Sequence, residues 1–312
     1  MSRLLAAAGL ATLALLLLPI PAQAKGPVPV TVTVAVVSFG NYDAKQGTYV
    51  LDFYLVLEWD ARAAPANFTA AAFEFANGRA TSRELQSDLL DETTGVRSLW
   101  YRVQASLYSE PQYQSYPFDQ QTVEVRVEDT VHPETELVYV ASPKSGLESS
   151  FKPAGWQVCG FHADVTRNEY SFDAPYSQAR FVVTLQRSVL SSVLKVIVPP
   201  LAFVIISGVS FFLVGADKVA TRFALTANMA ISGVLFHAGQ SAGLPSLSRL
   251  IFLDRYMLAI NVFLFGSVAV TALVALADFK WKDPARARRI NVRGAVAVPV
   301  AAVAAFLLLQ LV

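Results

Sequence analysis

The segment from Thr221 to Ala242 is mostly apolar, yet it carries several polar side chains that could contact water or ions inside a membrane. Polar groups at membrane depth are costly unless they face protein or water. These side chains are Thr226, Asn228, Ser232, His237, Gln240 and Ser241. Part of this segment must therefore face water or other protein groups, whereas an ordinary lipid-facing helix has no such need.

One helical face of this segment consists mostly of small residues, with two bulky apolar ones near its middle. The face contains Ala220, Ala224, Asn228, Ile231, Leu235, Ala238 and Ala242. It would suit the lining of a narrow pore, in which a ring of Ile231 and Leu235 excludes water. Close packing of small residues between helices is the alternative. One such helix cannot enclose a pore, so a channel requires several subunits around an axis.

Residue types that perform catalysis or bind metals are present but scattered. The chain has one cysteine, Cys159, which excludes an intrachain disulfide, and three histidines at positions 132, 162 and 237. His132 follows Glu128 and Asp129, a grouping that we interpret as a solvated loop. No Ser, His and Asp set in a fitting context and no glycine loop for phosphate is present. We therefore expect no enzyme, no metal site and no cofactor.

The composition indicates that part of the chain lies in an apolar environment rather than in water. Of 312 residues, 54% are hydrophobic and 16% are charged, well below the roughly 25% charged residues of soluble domains. Basic and acidic residues nearly balance, at 25 against 24, which argues against nucleic acid as a partner.

Two regions of different periodicity would position these residues. Between residues 25 and 187, apolar and polar side chains alternate in short segments separated by turn formers. The clearest segments are Val30–Val36, Leu51–Trp59, Leu99–Leu107, Thr122–Val127, Trp156–Val165 and Arg180–Gln186. This pattern predicts an immunoglobulin-like β-sandwich.

Four apolar runs follow Arg187, at about residues 189–214, 220–244, 256–277 and 292–312. Each is long enough to cross a bilayer as a helix, so residues 188–312 are predicted to form a four-helix transmembrane bundle. Five basic residues between positions 278 and 289 mark the loop before the fourth run as cytoplasmic. The β domain would then lie on the opposite side of the membrane.

The first 24 residues have the order of a secretory signal peptide. Arg3 is followed by an apolar run from Leu4 to Leu18 and then by Ala22-Gln23-Ala24, a typical cleavage site. A first membrane helix is the alternative, against which the short run and its prolines argue. The signal and the loop charges agree that the β domain lies outside the cytoplasm, so we expect a multi-pass protein of the cell (inner) membrane with its β domain in the periplasm or outside.

Several motifs occur in an order and at a spacing that resemble the pentameric ligand-gated ion channels, which are the Cys-loop receptors and their bacterial relatives. The motifs are Tyr116-Pro117-Phe118-Asp119, Glu58-Trp59-Asp60, Arg187 twelve residues before Pro199, and Leu244-Pro245 followed by Asp254. The first is similar to the signature loop of the family. Ser109 and Val123 stand where animal receptors have two cysteines, a departure that places the chain with the bacterial members.

The resemblance implies an agonist site between neighbouring β-sandwiches and a pore lined by the second membrane helix. The residues at matching positions are Tyr54, Phe75, Val131, His132, Tyr170, Phe172 and Tyr176. The implied partners are identical subunits in a homopentamer, the lipid bilayer, a small-molecule or proton agonist, and permeant inorganic ions. A membrane receptor or sensor of the same architecture that does not conduct ions is the alternative.

The resemblance also implies a coupling interface where the β domain meets the membrane helices. Its residues are Tyr116, Pro117, Phe118, Asp119, Arg187 and Pro245. We expect an ion pair between Asp119 and Arg187, with Phe118 near Pro245. At the cytoplasmic mouth, Ala220-Thr221-Arg222 is similar to the corresponding motif of anion-selective members, which favours anions.

Overall fold

A computed structural model describes residues 26–311, and the predicted signal peptide lies outside these residues. Ten β-strands come first in the described part of the chain. They are β1 (Val28–Asp43), β2 (Thr48–Asp60), β3 (Phe73–Phe75), β4 (Gly78–Leu90), β5 (Val96–Tyr108), β6 (Gln120–Asp129), β7 (Leu137–Ala141), β8 (Gly146–Leu147), β9 (Trp156–Asn168) and β10 (Tyr176–Arg187). The strands form two sheets, which confirms the predicted β-sandwich.

The first sheet has the strand order β4-β5-β2-β1-β7, with β8 also paired to β1, and the second has the order β3-β6-β10-β9. The alternation of the sequence decides which side chains lie between the sheets. Val30, Val32 and Val34 of β1 and Leu51 and Phe53 of β2 are all fully buried. They belong to one hydrophobic core that contains residues of both sheets.

Four helices follow the sandwich, and each is long and apolar enough to cross a membrane. They are α1 (Val189–Phe212), α2 (Ala216–Ser241), α3 (Phe252–Lys280) and α4 (Pro284–Leu309). They confirm the expected architecture of a β domain followed by four apolar helices, and the chain is a multi-pass membrane protein. Leu253, Met257 and Leu264 of α3 are fully buried among the other helices, so α3 forms the centre of the bundle.

The loop between β5 and β6 contacts the helices directly. The backbone carbonyl of Pro117 accepts a hydrogen bond from Ser192 Oγ of α1 at 2.7 Å. The carbonyl of Gln114 accepts one from the backbone N–H of Phe252, at the start of α3, at 3.1 Å. This loop therefore joins the two halves of the subunit.

Candidate functional site

A buried carboxylate lies near the end of β6, under the loop that joins β9 to β10. Glu128 is 2% exposed. Its oxygens accept hydrogen bonds from Tyr170 Oη at 2.6 Å, Gln178 Nε2 at 2.9 Å and Asn168 Nδ2 at 3.0 Å. No cation within residues 26–311 forms an ion pair with Glu128. Among the described residues, only hydrogen bonds from neutral donors therefore stabilise the buried carboxylate of Glu128.

Three aromatic side chains lie in the β9–β10 loop, residues 169–175, or directly after it. The ring centroid of Tyr170 lies 5.9 Å from that of Phe172 and 6.0 Å from that of Tyr176. Phe172 is 86% exposed. Burial, with the hydrogen bond to Glu128, raises the pKa of Tyr170 to about 12, so its hydroxyl remains a donor at neutral pH. The loop thus places aromatic faces beside a buried negative charge, an arrangement that attracts cations.

The segment after β6 is folded around Asp129. One carboxylate oxygen of Asp129 accepts hydrogen bonds from the backbone N–H groups of Val131 at 2.8 Å and His132 at 2.7 Å. The same oxygen lies 3.0 Å from Nδ1 of His132, whose ring packs on Phe68. Val131 is exposed. Our interpretation of Glu128, Asp129 and His132 as a solvated loop is therefore wrong, because both carboxylates are buried and the imidazole is nearly so.

Two predicted ligand residues lie apart from this cluster. Phe75 is 5% exposed and packs edge-on against Phe53 in the sandwich core, so its assignment to a ligand site is wrong. Tyr54 is partly exposed on β2, in the other sheet, with the Arg102 guanidinium 4.4 Å from its ring centroid. Tyr54 could meet the β9–β10 loop only from a second subunit.

An ion pair between Asp119 and Arg187 connects the loop before β6 to the end of β10. Arg187 Nε lies 2.7 Å from Asp119 Oδ1, and Nη2 lies 3.1 Å from Oδ2. Asp119 is 1% exposed. The guanidinium carbon also lies 4.4 Å from the ring centroid of Trp156 and 5.1 Å from that of Tyr116. The expected contact is present, and its two-point geometry is the strong form of such a pair.

The loop between β5 and β6, which contains the signature-like residues Tyr116 to Asp119, also contacts the helices through its aromatic side chains. The hydroxyl of Tyr116 donates to Gln240 Oε1 of α2 at 3.4 Å. Phe118, which we expected near Pro245, packs its ring against Phe252 of α3 at a centroid distance of 5.8 Å. A movement of this loop would therefore reach α2 and α3 by different side chains.

The predicted pore face of α2 points away from the other helices of the subunit. All seven of its residues are exposed: Ala220, Ala224, Asn228, Ile231, Leu235, Ala238 and Ala242. The buried residues of α2 lie on the opposite face and are Arg222, Thr226, Ala230 and Gly233. Gly233 allows close packing there, because a Cβ at this position would lie 2.6 Å from Leu264 of α3. The bundle therefore packs on one side of α2 and leaves the predicted pore face uncovered.

Arg222 belongs to the packed side of α2. It is 1% exposed, its Nε donates to Thr271 Oγ1 at 3.1 Å, and its guanidinium carbon lies 5.6 Å from the Phe211 ring centroid. The guanidinium of Arg222 therefore lies inside the helix bundle rather than on the exposed face of α2. The polar spacing of the sequence could not reveal that its long side chain turns inward.

Comparisons with known proteins find similarity to ion channels and a receptor subunit, although no family model matches the chain. It is 26% identical over 183 residues to pH-sensitive chloride channel 2 of Drosophila melanogaster, covering 55% of this chain and 35% of that protein. The match to the Anopheles gambiae protein of the same name has the same identity and covers 30% of that protein. A gamma-aminobutyric acid receptor subunit beta-like protein of Drosophila melanogaster is 24% identical over 161 residues, 51% of this chain and 32% of that protein.

The chain is similar to subunits of the pentameric ligand-gated ion channels. Its two-sheet sandwich and four apolar helices have the architecture of the Cys-loop receptors. The relatives are channels and receptors rather than enzymes. The chain spans about a third of the length of the curated relatives that it matches.

Hydrogen bonds of Tyr49 connect Ser109, which stands at the first of the two Cys-loop cysteine positions, to Glu124, which follows the second. The hydroxyl of Tyr49 lies 2.7 Å from Ser109 Oγ and donates to the carbonyl of Glu124, next to Val123, at 2.9 Å. It also accepts from the backbone N–H of Glu124 at 2.8 Å. Burial raises the pKa of Tyr49 to about 12, so the hydroxyl stays protonated. One side chain of β2 thus bridges both ends of the loop that a disulfide closes in animal Cys-loop receptors.

Two functional candidates, Glu128 and Gln240, are brought into position by the fold and could not be identified from the sequence. Glu128 lies in an alternating strand where a carboxylate suggests a solvent-facing position, and its burial depends on donors from β9, β10 and their loop. Gln240 contacts the signature loop from a position 124 residues away in sequence. The sequence places Gln240 in a membrane helix, but it does not show that its hydrogen-bond partner is Tyr116.

Proposed function

We propose that this protein is a subunit of a homopentameric ligand-gated ion channel. Agonist binding between neighbouring β-sandwiches would open a pore lined by α2. The observation that carries the proposal is the uncovered face of α2, where all seven predicted pore residues are exposed while Arg222, Thr226, Ala230 and Gly233 are buried. A ring of five such faces would enclose a narrow path with Ile231 and Leu235 as its apolar constriction.

The agonist site would combine elements of two subunits. One subunit supplies Glu128, Val131, His132 and the aromatic residues of the β9–β10 loop, and its neighbour supplies Tyr54. Since the loop aromatics lie beside a carboxylate that no cation of residues 26–311 pairs with, a small cationic molecule fits this site best. Each aromatic face would contribute roughly 0.5–2 kcal/mol to the binding of such a cation.

Protons are the second candidate agonist, because two relatives are named as pH-sensitive chloride channels. Three histidine–carboxylate pairs are present among the described residues, and the two shorter and less exposed ones are candidates for this role. His132 Nδ1 lies 3.0 Å from Asp129 Oδ1, and His237 Nε2 of α2 lies 3.1 Å from Asp254 Oδ1 of α3. Histidine side chains as a class change charge near neutral pH, so pairs of this kind are suited to a response to protons.

Current recording in oocytes tests the proposal directly. Cells expressing the chain are perfused with buffers from acid to alkaline pH and then with a panel of small amines, and currents are compared with those of uninjected cells. Glu128→Gln removes the buried charge but keeps an oxygen that accepts from Tyr170. We expect at least a tenfold loss of potency for an amine, roughly the difference between a charged and a neutral hydrogen-bond partner.

The matched control for that variant is Glu148→Gln, which removes an equal charge from an exposed position outside the cluster. Equal potency in wild type, Glu128→Gln and Glu148→Gln would contradict the cationic agonist site. Purified protein in liposomes then separates the channel from the non-conducting receptor: an agonist that binds without releasing entrapped ions would favour the receptor.

We further propose that the pore prefers anions and that the β domain faces the periplasm. The chloride channels among the relatives support the first part, and the basic residues between α3 and α4 support the second. Reversal potentials measured while chloride is replaced by gluconate test the selectivity. A shift that instead follows sodium replacement would contradict it.

A further inference from the structure

A basic pocket at the turn between α3 and α4 is separate from the proposed agonist site and pore. It has a volume of about 500 Å³ and is lined by Leu273, Trp281, Asp283, Arg286, Arg289, Ile290 and Arg293. Three of its residues are arginines from the first three turns of α4. The pocket lies where two membrane helices reach their common turn, which is the level of the lipid headgroups.

The three arginines share one face of α4, because their spacing of three and four residues follows the helical period. Among residues 26–311, no carboxylate lies within the 4.0 Å of an ion pair from Arg286, Arg289 or Arg293. The one acidic residue of the lining, Asp283, uses a side-chain oxygen to cap the backbone N–H of Arg286 at 2.8 Å. The pocket therefore has a strong net positive charge.

The remaining lining residues suit a molecule that is only partly polar. Leu273 is 45% exposed and Ile290 is partly exposed, so both present apolar surface beside the arginines. The Arg286 guanidinium carbon lies 4.0 Å from the ring centroid of Trp281. Tryptophan is enriched at the boundary between lipid and water. A free phosphate would use the charge but leave this apolar surface in water.

We propose that this pocket binds the phosphate headgroup of an anionic phospholipid from the leaflet on its side of the membrane. Arg289 and Arg293 would contact the phosphate oxygens, Trp281 would lie at the glycerol level, and Leu273 and Ile290 would contact the upper acyl chain. Basic pockets between membrane helices are a recognised type of binding site for anionic lipid headgroups.

Quenching of Trp281 by brominated lipids measures this binding in the full chain. The other three tryptophans, Trp59, Trp100 and Trp156, lie in the β domain and give a constant background. The protein is reconstituted in phosphatidylcholine containing increasing fractions of brominated phosphatidylglycerol or brominated phosphatidylcholine. We expect the anionic lipid to quench at a clearly lower fraction, and Trp281→Phe to remove the response.

Two double variants with the same change in charge locate the site. Arg289→Gln/Arg293→Gln should weaken the preference for phosphatidylglycerol by about 25-fold, or about fivefold for each arginine. Lys280→Gln/Arg288→Gln should leave the preference unchanged, because neither residue lines the pocket and Arg288 lies about 200° around the helix from Arg286. If the pocket double variant does not insert, Arg293→Gln alone replaces it.

Three results would overturn the proposal. The first is equal quenching by the two lipids in the wild type. The second is an equal loss of preference in both double variants, which would indicate general surface charge. The third is loss of the preference in inorganic phosphate but not in sodium chloride of equal ionic strength, which would assign the pocket to free phosphate.

Discussion

At the scale of single residues, the subunit keeps its charged groups in specific pairs and networks. Asp119 is held by Arg187, while Glu128 is held by neutral donors. The first arrangement is suited to transmitting force between elements, because both partners are fixed by hydrogen bonds. The second leaves a buried carboxylate beneath the β9–β10 loop without an ion-pair partner among the described residues.

Breaking the Asp119–Arg187 pair should abolish gating or assembly. Either Asp119→Ala or Arg187→Ala leaves a charge without its partner, which costs about 3–5 kcal/mol at a buried site. Surface expression and agonist-evoked current are measured together. Arg97→Ala is the control, since Arg97 pairs with Asp88 of β4, both side chains are partly exposed, and the loss should cost under about 1 kcal/mol. Normal currents from both pair variants would refute the coupling role.

Removing the hydroxyl of Tyr49 should destabilise the sandwich. Tyr49→Phe leaves Ser109 Oγ and the backbone of Glu124 without their buried partner, which lowers the free energy of unfolding by about 1–3 kcal/mol. Thermal unfolding of purified protein measures the change. Tyr108→Phe, at an exposed ring of β5, serves as the control. Equal melting temperatures for the two variants would show that the bridge contributes nothing.

At the scale of elements, a strand or helix could be predicted from the sequence where one of its faces is buried and the other is exposed. Strands β1 and β2 could be predicted because one face is buried and the other is not. Strand β4 could not, because almost all its residues are exposed and it is held by pairing with β5 rather than by alternation. The exposed face of α2 was predictable from small residues at helical spacing. The inward turn of Arg222 was not, because it depends on Thr271 and Phe211 of other helices.

Cysteine accessibility should distinguish the two faces of α2. In a Cys159→Ser background, which removes the exposed native thiol, Ala224→Cys should react with a charged, membrane-impermeant thiol reagent and block current. Ala230→Cys, on the buried face, should react far more slowly. Current after reagent treatment gives both rates. If the two positions react equally, or if only Ala230→Cys reacts, α2 does not present the proposed face to water.

At the scale of the whole molecule, the proposed function depends on surfaces that one copy of the chain does not complete. Tyr54 and the β9–β10 loop lie in different sheets, and the pore face of α2 has no covering element within the described residues. The sequence could predict the architecture because each half carries its own periodicity. It could not predict contacts such as Tyr116 with Gln240, which arise only when the two halves meet.

Purified protein in mild detergent should contain five copies of the chain. Native mass spectrometry counts the subunits, and two-dimensional averages from electron microscopy show the symmetry. A single chain, or a ring with another number of subunits, would contradict the homopentamer. The measurement is independent of agonist identity, so it can be made before any ligand is known.

The Tyr49 bridge closes the loop between Ser109 and Val123 with hydrogen bonds, which reductants do not break. The β domain needs no oxidising compartment and no disulfide isomerase in order to mature. Cell-free synthesis in the presence of dithiothreitol, into preformed nanodiscs, should therefore yield correctly folded subunits. Under the same conditions, a receptor that relies on a covalent loop would lose its closure.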